Sequence, residues 1–473
     1  MIDLALETRG LRIARAARPF ARCASAALAA ALIATACSTN EILDVKDPDV
    51  ATSASTQTEA ALGTVLNGAI GDFHAAYGGT GDNNESSGEI GYGGLLSDEI
   101  KSSDTFPTRT EIDERHIQLT NGNVATQFLF IERARASADR AALRFATFAP
   151  DSAGHALAYS LSGMSMIMLA ENWCSGVPIS TLTDDGELQF GQPETTKQLL
   201  QRAQAMFDSA ITVATTAGND AYLNLARVGK GRALLDQGQF AEAAAAVADV
   251  PDDFVYFDFA SANTTAENNG LWSFFQNTRR LSVADREGGN GLPYISANDP
   301  RVPVQVTGRA GFDGKTSLDL PLLYPDRTSP IPVATGIEAR LIEAEAALQA
   351  GTDNTFVAKL NAARAAAVAL ANSESGGNGT LPAIAAAPAT EDAKVDLLFS
   401  ERAFDLFLTS HRLGDMRRLV GMYGRDPETV FATGLYFKDS SPMGTDVNLP
   451  VPITEQNNPN FTQCLNRDAW NLN

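Results

Sequence analysis

The residues that could do chemistry are scattered rather than arranged. The four histidines, His74, His116, His155 and His411, lie far apart and show no H-E-x-x-H spacing. No C-x-x-C pair, G-x-S-x-G elbow or G-x-x-x-x-G-K-[ST] loop occurs, so redox, nucleophile-elbow and nucleotide chemistries have no carrier. With 57 Asp and Glu residues in the chain, neighbours such as Asp98-Glu99 and Asp252-Asp253 are no evidence for a glycosidase acid and nucleophile. No acidic ligand set of calcium type is present. These residues predict a protein that binds without catalysis, cofactor or metal.

Recognition has better candidates. Phe254, Tyr256, Phe257, Phe259, Trp272, Phe274, Phe275 and Tyr294 crowd a stretch rich in Pro, Gly, Asn and Asp, residues 251–335. Sugars present apolar C–H faces ringed by hydroxyls, so flat aromatics flanked by amides and guanidiniums suit them. Trp272, Phe274 and Phe275, with Asn268, Asn269, Gln276, Asn277 and Arg279, have that mixture. Tyr77, beside the turn Gly78-Gly79-Thr80-Gly81, and Tyr294 are further ligand candidates. The competing reading makes these aromatics packing anchors. A second cluster, Arg402, Arg412, Arg417 and Arg418 near Glu401, Asp405 and Asp415, reads as a structural ion-pair brace rather than an anion site. Its spacings allow intrahelical and interhelical pairs, and His411 fits the brace better than general base catalysis.

The elements that must position these residues are mainly helical. A helix is expected over roughly Thr58 to Tyr77, followed by polar, irregular sequence over 85–120. Asp151 can cap a helix to about Asn172, in which Leu157, Leu161, Met164 and Met168 recur at core spacing while Ser162 and Gly163 permit close packing. Gly176 and Pro178 end it. A second helix spans about Glu194 to Ala217, with Gly218 as its stop. Gly231, Leu234, Gly238, Phe240 and Ala243 then follow tetratricopeptide spacing, echoed by Ala344, Ala347, Gly351 and Phe356. Such units need stacking to bury their faces; they are expected at about 151–250 and 335–420, separated by loops and short strands. Asn372 to Thr380 reads as a flexible insertion, and a last helix runs from about Thr390 to Leu408.

The N-terminus reads as an export signal. Five arginines precede an apolar run from Ala24 to Ala36, and Cys37 follows at once. That run is shorter than the roughly 20 residues a membrane span needs. Ala34-Thr35-Ala36 can serve ordinary secretion or, as a lipobox, place Cys37 first in the mature chain as a lipid anchor. Residues 1–36 carry five Arg, one Asp and one Glu, a net of +3, so removing them takes the charge from −21 to −24. Nothing that acidic holds nucleic acid by its phosphates. Cys174 and Cys464 remain, either as a disulfide or as two separate buried thiols.

The C-terminal sequence carries a resemblance. Glu401-Arg402-Ala403-Phe404-Asp405-Leu406 leads to His411-Arg412-Leu413-Gly414-Asp415-Met416-Arg417-Arg418, then Gly434-Leu435-Tyr436, then Asn448-Leu449-Pro450-Val451-Pro452-Ile453-Thr454-Glu455 and Asn458-Pro459. This resembles the closing signature of SusD/RagB-like nutrient-uptake lipoproteins, with Asp405 where that family usually has Glu and Ser410 where it often has Gly. Earlier pieces appear in the family's order: Leu43-Asp44-Val45 with Pro48, Leu95 to Glu99, Asp113-Glu114-Arg115, Glu171 to Pro178, and Ala344-Glu345-Ala346 with Leu360-Asn361 and Arg364.

The resemblance implies a mainly α, SusD-like helical fold with embedded tetratricopeptide-like pairs, forming a single body over 37–473. It further implies tethering to the outer membrane through lipid alone, non-catalytic capture of a glycan or other nutrient, and docking as a lid on a SusC-like TonB-dependent barrel. The alternative is a periplasmic tetratricopeptide scaffold for protein partners.

Overall fold

The computed structural model describes residues 56–81, 87–183 and 187–461, together with 464, 467 and 470. The expected signal sequence and the candidate anchor Cys37 lie outside these residues. Among the described residues twelve α-helices have seven or more residues. They are α1 (Leu62–Tyr77), α2 (Gly88–Leu96), α3 (Pro107–Asp113), α4 (Gly122–Phe148), α5 (Ala153–Asn172), α6 (Thr196–Ala217), α7 (Asp220–Asp236), α8 (Phe240–Val247), α9 (Gly336–Gln349), α10 (Asp353–Ser375), α11 (Glu391–Asp405) and α12 (Arg412–Gly421). The strands between them are short and pair only in twos, all antiparallel. The protein is therefore mainly α. Among the described residues no helix is long and apolar enough to cross a membrane.

The helices stack in sequence. α1 packs on α4, α4 on α5, α5 on α6, α6 on α7 and α7 on α8; α8 then meets α9, which pairs with α10. The array thus begins before residue 151 and runs through the loop-rich stretch as if it were absent. α4 shows why: Val124, Phe128, Ile131, Ala134, Ala138, Ala141 and Phe145 recur every third or fourth residue and all are buried. Asn121 caps it, accepting from the amides of Asn123 and Val124 at 3.0 and 3.1 Å. α6 opens with a Thr195–Gln198 capping box and closes on Gly218 at φ 65°. Where α5 and α7 face α6, Phe207 lies against Gly163 and Gly229. A Cβ on either glycine would stand 2.7 or 2.4 Å from its ring, so the two small residues are the slot that admits one large one.

Three local expectations are corrected. α5 takes Ser152 as its N-cap, not Asp151, and without a side-chain capping bond. The stretch expected to be irregular over 85–120 contains α2 and α3. Glycines at 88, 91, 93 and 94 suppress the helical signal of α2, yet they permit its complete burial: a Cβ at Gly91 would fall 2.5 Å from Ser87 Oγ. The insertion at Asn372 is ordered, with α10 continuing to Ser375. The Asn372 amide closes the following turn, donating to Gly379 O and accepting from Gly379 N, both at 2.9 Å.

The tail is tied back to the array. Cys174, just past α5, and Cys464 form a disulfide with their Cα atoms 5.9 Å apart. The Cys174 amide also donates to Leu449 O at 2.8 Å, and Trp173 bridges Leu449 in parallel.

Candidate ligand-binding site

The buried arginines set the frame. Arg402 Nε donates to Asp415 Oδ2 at 2.7 Å and Arg418 Nη2 to Asp415 Oδ1 at 2.8 Å, both within the expected cluster. Burial opposes the Asp415 charge, but these two guanidiniums hold its carboxyl far below the usual carboxylate range. The other partners are distant in sequence. Arg418 also meets Glu345 at 2.6 Å and Asp236 at 3.3 Å. Arg412 grips Asp98. Glu401 and Asp405 accept from Arg301 at 2.6 and 2.8 Å, and Glu401 also from Arg364. Among the described residues Arg417 has no carboxylate partner: it donates to the carbonyls of Ala170 and Glu171 at the end of α5 and lies 5.3 Å over the Trp470 ring. The brace is a web joining α5, α7, α9, α11 and α12 to the loops, not a local ladder.

Most of the aromatic candidates belong to the interior. Phe274 and Phe275 are fully buried, and Arg109 lies 4.6 Å over the Phe274 ring. Tyr294 packs on Phe404 and Phe407 with ring centroids 5.4 and 5.0 Å away. Tyr77 is buried, and its hydroxyl donates to Pro332 O at 2.7 Å and Thr409 O at 3.0 Å. These four side chains pack in the interior of this structure. Trp272 is half-buried, and Asn277 and Arg279 are exposed.

A cleft of about 680 Å³ opens beside Arg279. One wall follows the strand Ile100–Ser102, which pairs with Leu281–Val283. A second is the turn 313–317, which joins the strands Val304–Ala310 and Ser317–Pro321. The third is the tail loop bearing Leu435, Tyr436, Phe437 and Lys438. Arg279 O ties the first two walls, accepting from Ser103 Oγ and from the Phe312 amide, each at 2.8 Å. The tail loop meets the 284–288 loop through two glycines. Gly288 has φ 60° and Gly434 φ 97°; a Cβ on Gly288 would lie 2.4 Å from Thr433 O, so only glycine permits that approach.

The cleft wall is mixed in character. Leu435 is 64% exposed and Phe437 45%. At its rim Arg280 lies between two rings, 3.8 Å from Phe312 and 4.7 Å from Phe106. Glu287 forms part of the floor and is buried near Asp113. Burial, then the neighbouring Asp113 charge, raises Glu287 well above the ordinary range. Burial pushes Asp113 up to about 6, while Tyr436 Oη at 2.6 Å and the Ser102 amide at 2.8 Å favour its charged form. Among the described residues no group of three or more His, Cys, Asp or Glu could hold a metal ion.

Sequence reasoning missed the cleft because its parts come from four separate stretches. The signal that was available is the apolar run Leu435-Tyr436-Phe437 inside a tail otherwise rich in Gly, Asp, Ser and Thr. A loop that keeps such residues without a core to bury them in is a candidate contact surface.

No protein-family model matches the chain, and no curated protein matches it in sequence. Solved structures do. A SusD-like carbohydrate binding protein from Bacteroides fragilis NCTC 9343 aligns with 13% identity over 86% of this chain and 99% of its own, at a TM-score of 0.61. A SusD superfamily protein from Parabacteroides distasonis ATCC 8503 aligns at 14% identity over 86% and 98%, also at 0.61. A SusD/RagB family protein from Bacteroides thetaiotaomicron VPI-5482 gives 13%, 84%, 94% and 0.57. The helical array, the short paired strands and the tail folded back along α5 are, in this chain, the SusD-like fold.

Proposed function

We propose that this protein is a nutrient-binding lipoprotein of the outer membrane, which captures a glycan in the cleft beside Arg279 and delivers it to a SusC-like TonB-dependent barrel. The observation that carries the reading is the cleft itself, set in a SusD-like fold and walled by the exposed Leu435 and Phe437. Apolar faces beside polar groups match the two-sided chemistry of a sugar ring. The Bacteroides fragilis protein of this fold is named as carbohydrate binding. Trp272, Asn277 and Arg279, which are half-buried or exposed, remain further candidate contacts from the loop stretch. Cys37 supplies the lipid tether, and the membrane is touched through that tether alone.

The chemistry is binding, without catalysis. Asp104, Asp113, Asp285 and Asp313 near the cleft are each held by protein donors, which disfavours a general-base role for them.

The test is to solubilise outer membranes gently, recover a C-terminally tagged copy and identify what co-purifies. A TonB-dependent barrel in stoichiometric amount supports delivery. Recovery alone, or with soluble periplasmic partners only, sinks it and favours a periplasmic tetratricopeptide scaffold.

A further inference from the structure

Three of the four carboxyls lining the cleft are already engaged by protein donors. Asp104 takes Arg109 Nη1 at 2.7 Å and Arg280 Nη1 at 2.5 Å. Asp285 Oδ1 accepts from the amides of Ile295 and Ser296 and from Ser296 Oγ, at 2.9 to 3.1 Å. Asp313 holds its own turn through the Lys315 and Thr316 amides at 2.9 and 2.8 Å and Thr316 Oγ1 at 2.6 Å, with Lys438 Nζ 3.4 Å away. The fourth, Glu287, is buried, and burial with the nearby Asp113 raises its carboxyl well above the ordinary range.

The basic residues divide differently. Lys101 is engaged by Ser317 Oγ at 2.9 Å and Asp319 at 3.3 Å, and Lys438 by Asp104 O at 2.7 Å. Arg286 and Lys315 line the same cleft, both exposed, and among the described residues neither side chain has a hydrogen-bond or ion-pair partner. Arg286 also sits at φ 54°, a left-handed conformation that non-glycine residues rarely adopt. Arg286 and Lys315 are thus two exposed cations in the cleft whose charge no protein acid pairs directly among the described residues, in a chain of formal charge −21.

We propose that the cleft selects an anionic oligosaccharide, one bearing carboxylate or sulfate groups, which Arg286 and Lys315 grip while Phe437 supports a sugar face. This deepens the glycan reading and rests on it. Guanidinium and ammonium groups bind such anions by charge-assisted hydrogen bonds, and salt weakens them at exposed sites.

The experiment titrates the full chain by calorimetry with matched pairs. Oligogalacturonate and its methyl ester test carboxylate; sulfated carrageenan oligosaccharides and unsulfated agaro-oligosaccharides test sulfate. At least one acidic member is expected to bind tighter than its neutral counterpart. The Arg286→Gln/Lys315→Gln variant is expected to lower that affinity about tenfold, with an unchanged unfolding midpoint because both side chains are exposed. Neutral members binding as well as acidic ones, or an acidic preference that survives in the double variant, overturns the charge selection and leaves the glycan reading standing. Binding of no oligosaccharide overturns both.

Discussion

Arg412 holds Asp98 with two bonds, Nε to Oδ1 at 2.7 Å and Nη2 to Oδ2 at 3.0 Å, across 314 positions of sequence. The pair is buried, and Asp98 also accepts from the Leu292 amide at 2.8 Å. It fastens the start of α12 to the turn after α2 and to the loop after the cleft strands. Removing one partner leaves the other charged and dry. Arg412→Ala is therefore expected to cost about 3–5 kcal/mol, read from urea unfolding. Arg412→Met with Asp98→Asn should recover part of that loss. A single-variant cost under about 1 kcal/mol would mean the pair is not holding the fold, since even exposed pairs reach that value.

The Cys174–Cys464 bridge closes a loop with a sequence separation of 290 residues. Cross-links over long loops remove the most entropy from the unfolded chain, although measured gains cluster near about 2–4 kcal/mol. Cys174→Ser with Cys464→Ser should lower stability by about that amount. A reductant should lower the unfolding midpoint of the native protein and leave that of the variant unmoved. Equal responses of the two proteins to reductant would argue against the bridge.

The helices were legible because their signals are local. Thr195, Gln198 and Gly218 mark the ends of α6 within a few residues of where they act. Gly231 and Phe240 stand at tetratricopeptide spacing, and α7 and α8 form there. α2 was illegible because its glycines carry a packing requirement set by Ser87 and Ile100, which propensity cannot register. The ion pairs were half legible: Arg402–Asp415 lies within one stretch, while Arg412–Asp98 exists only once the chain is folded. Composition could not tell the buried Phe274 from the exposed Phe437, because exposure is a tertiary property.

Asp113 and Glu287 make stability depend on pH. Their facing groups are each other, Asp98, Lys101, Lys438 and Tyr436. Both folded-state values are raised, Asp113 to about 6 and Glu287 further above its ordinary 4.5. The folded protein thus keeps a proton that the unfolded chain surrenders near pH 4. The contribution is fully present below that pH and is lost as pH rises through the folded-state values. Glu287→Gln mimics the protonated acid, so its stability relative to the native protein should rise from about pH 4, where the two differ least, to pH 9. Parallel unfolding curves for the two proteins across that range would show that the Glu287 carboxyl is not raised.

Phe274 and Phe437 separate core from contact surface. Phe274 is fully buried beneath Arg109, whereas Phe437 is half exposed on the cleft wall. Phe274→Ala should cost about 3–5 kcal/mol of stability through the cavity it leaves. Phe437→Ala should leave the unfolding midpoint within about 0.5 kcal/mol of native, since it opens no cavity. It should lower affinity about tenfold for whichever oligosaccharide the titrations identify, because a ring stacked on a sugar face loses its partner. Native affinity in a folded Phe437→Ala protein would remove the tail loop from the binding surface. In that event Trp272, Asn277 and Arg279 would be the remaining contacts to substitute.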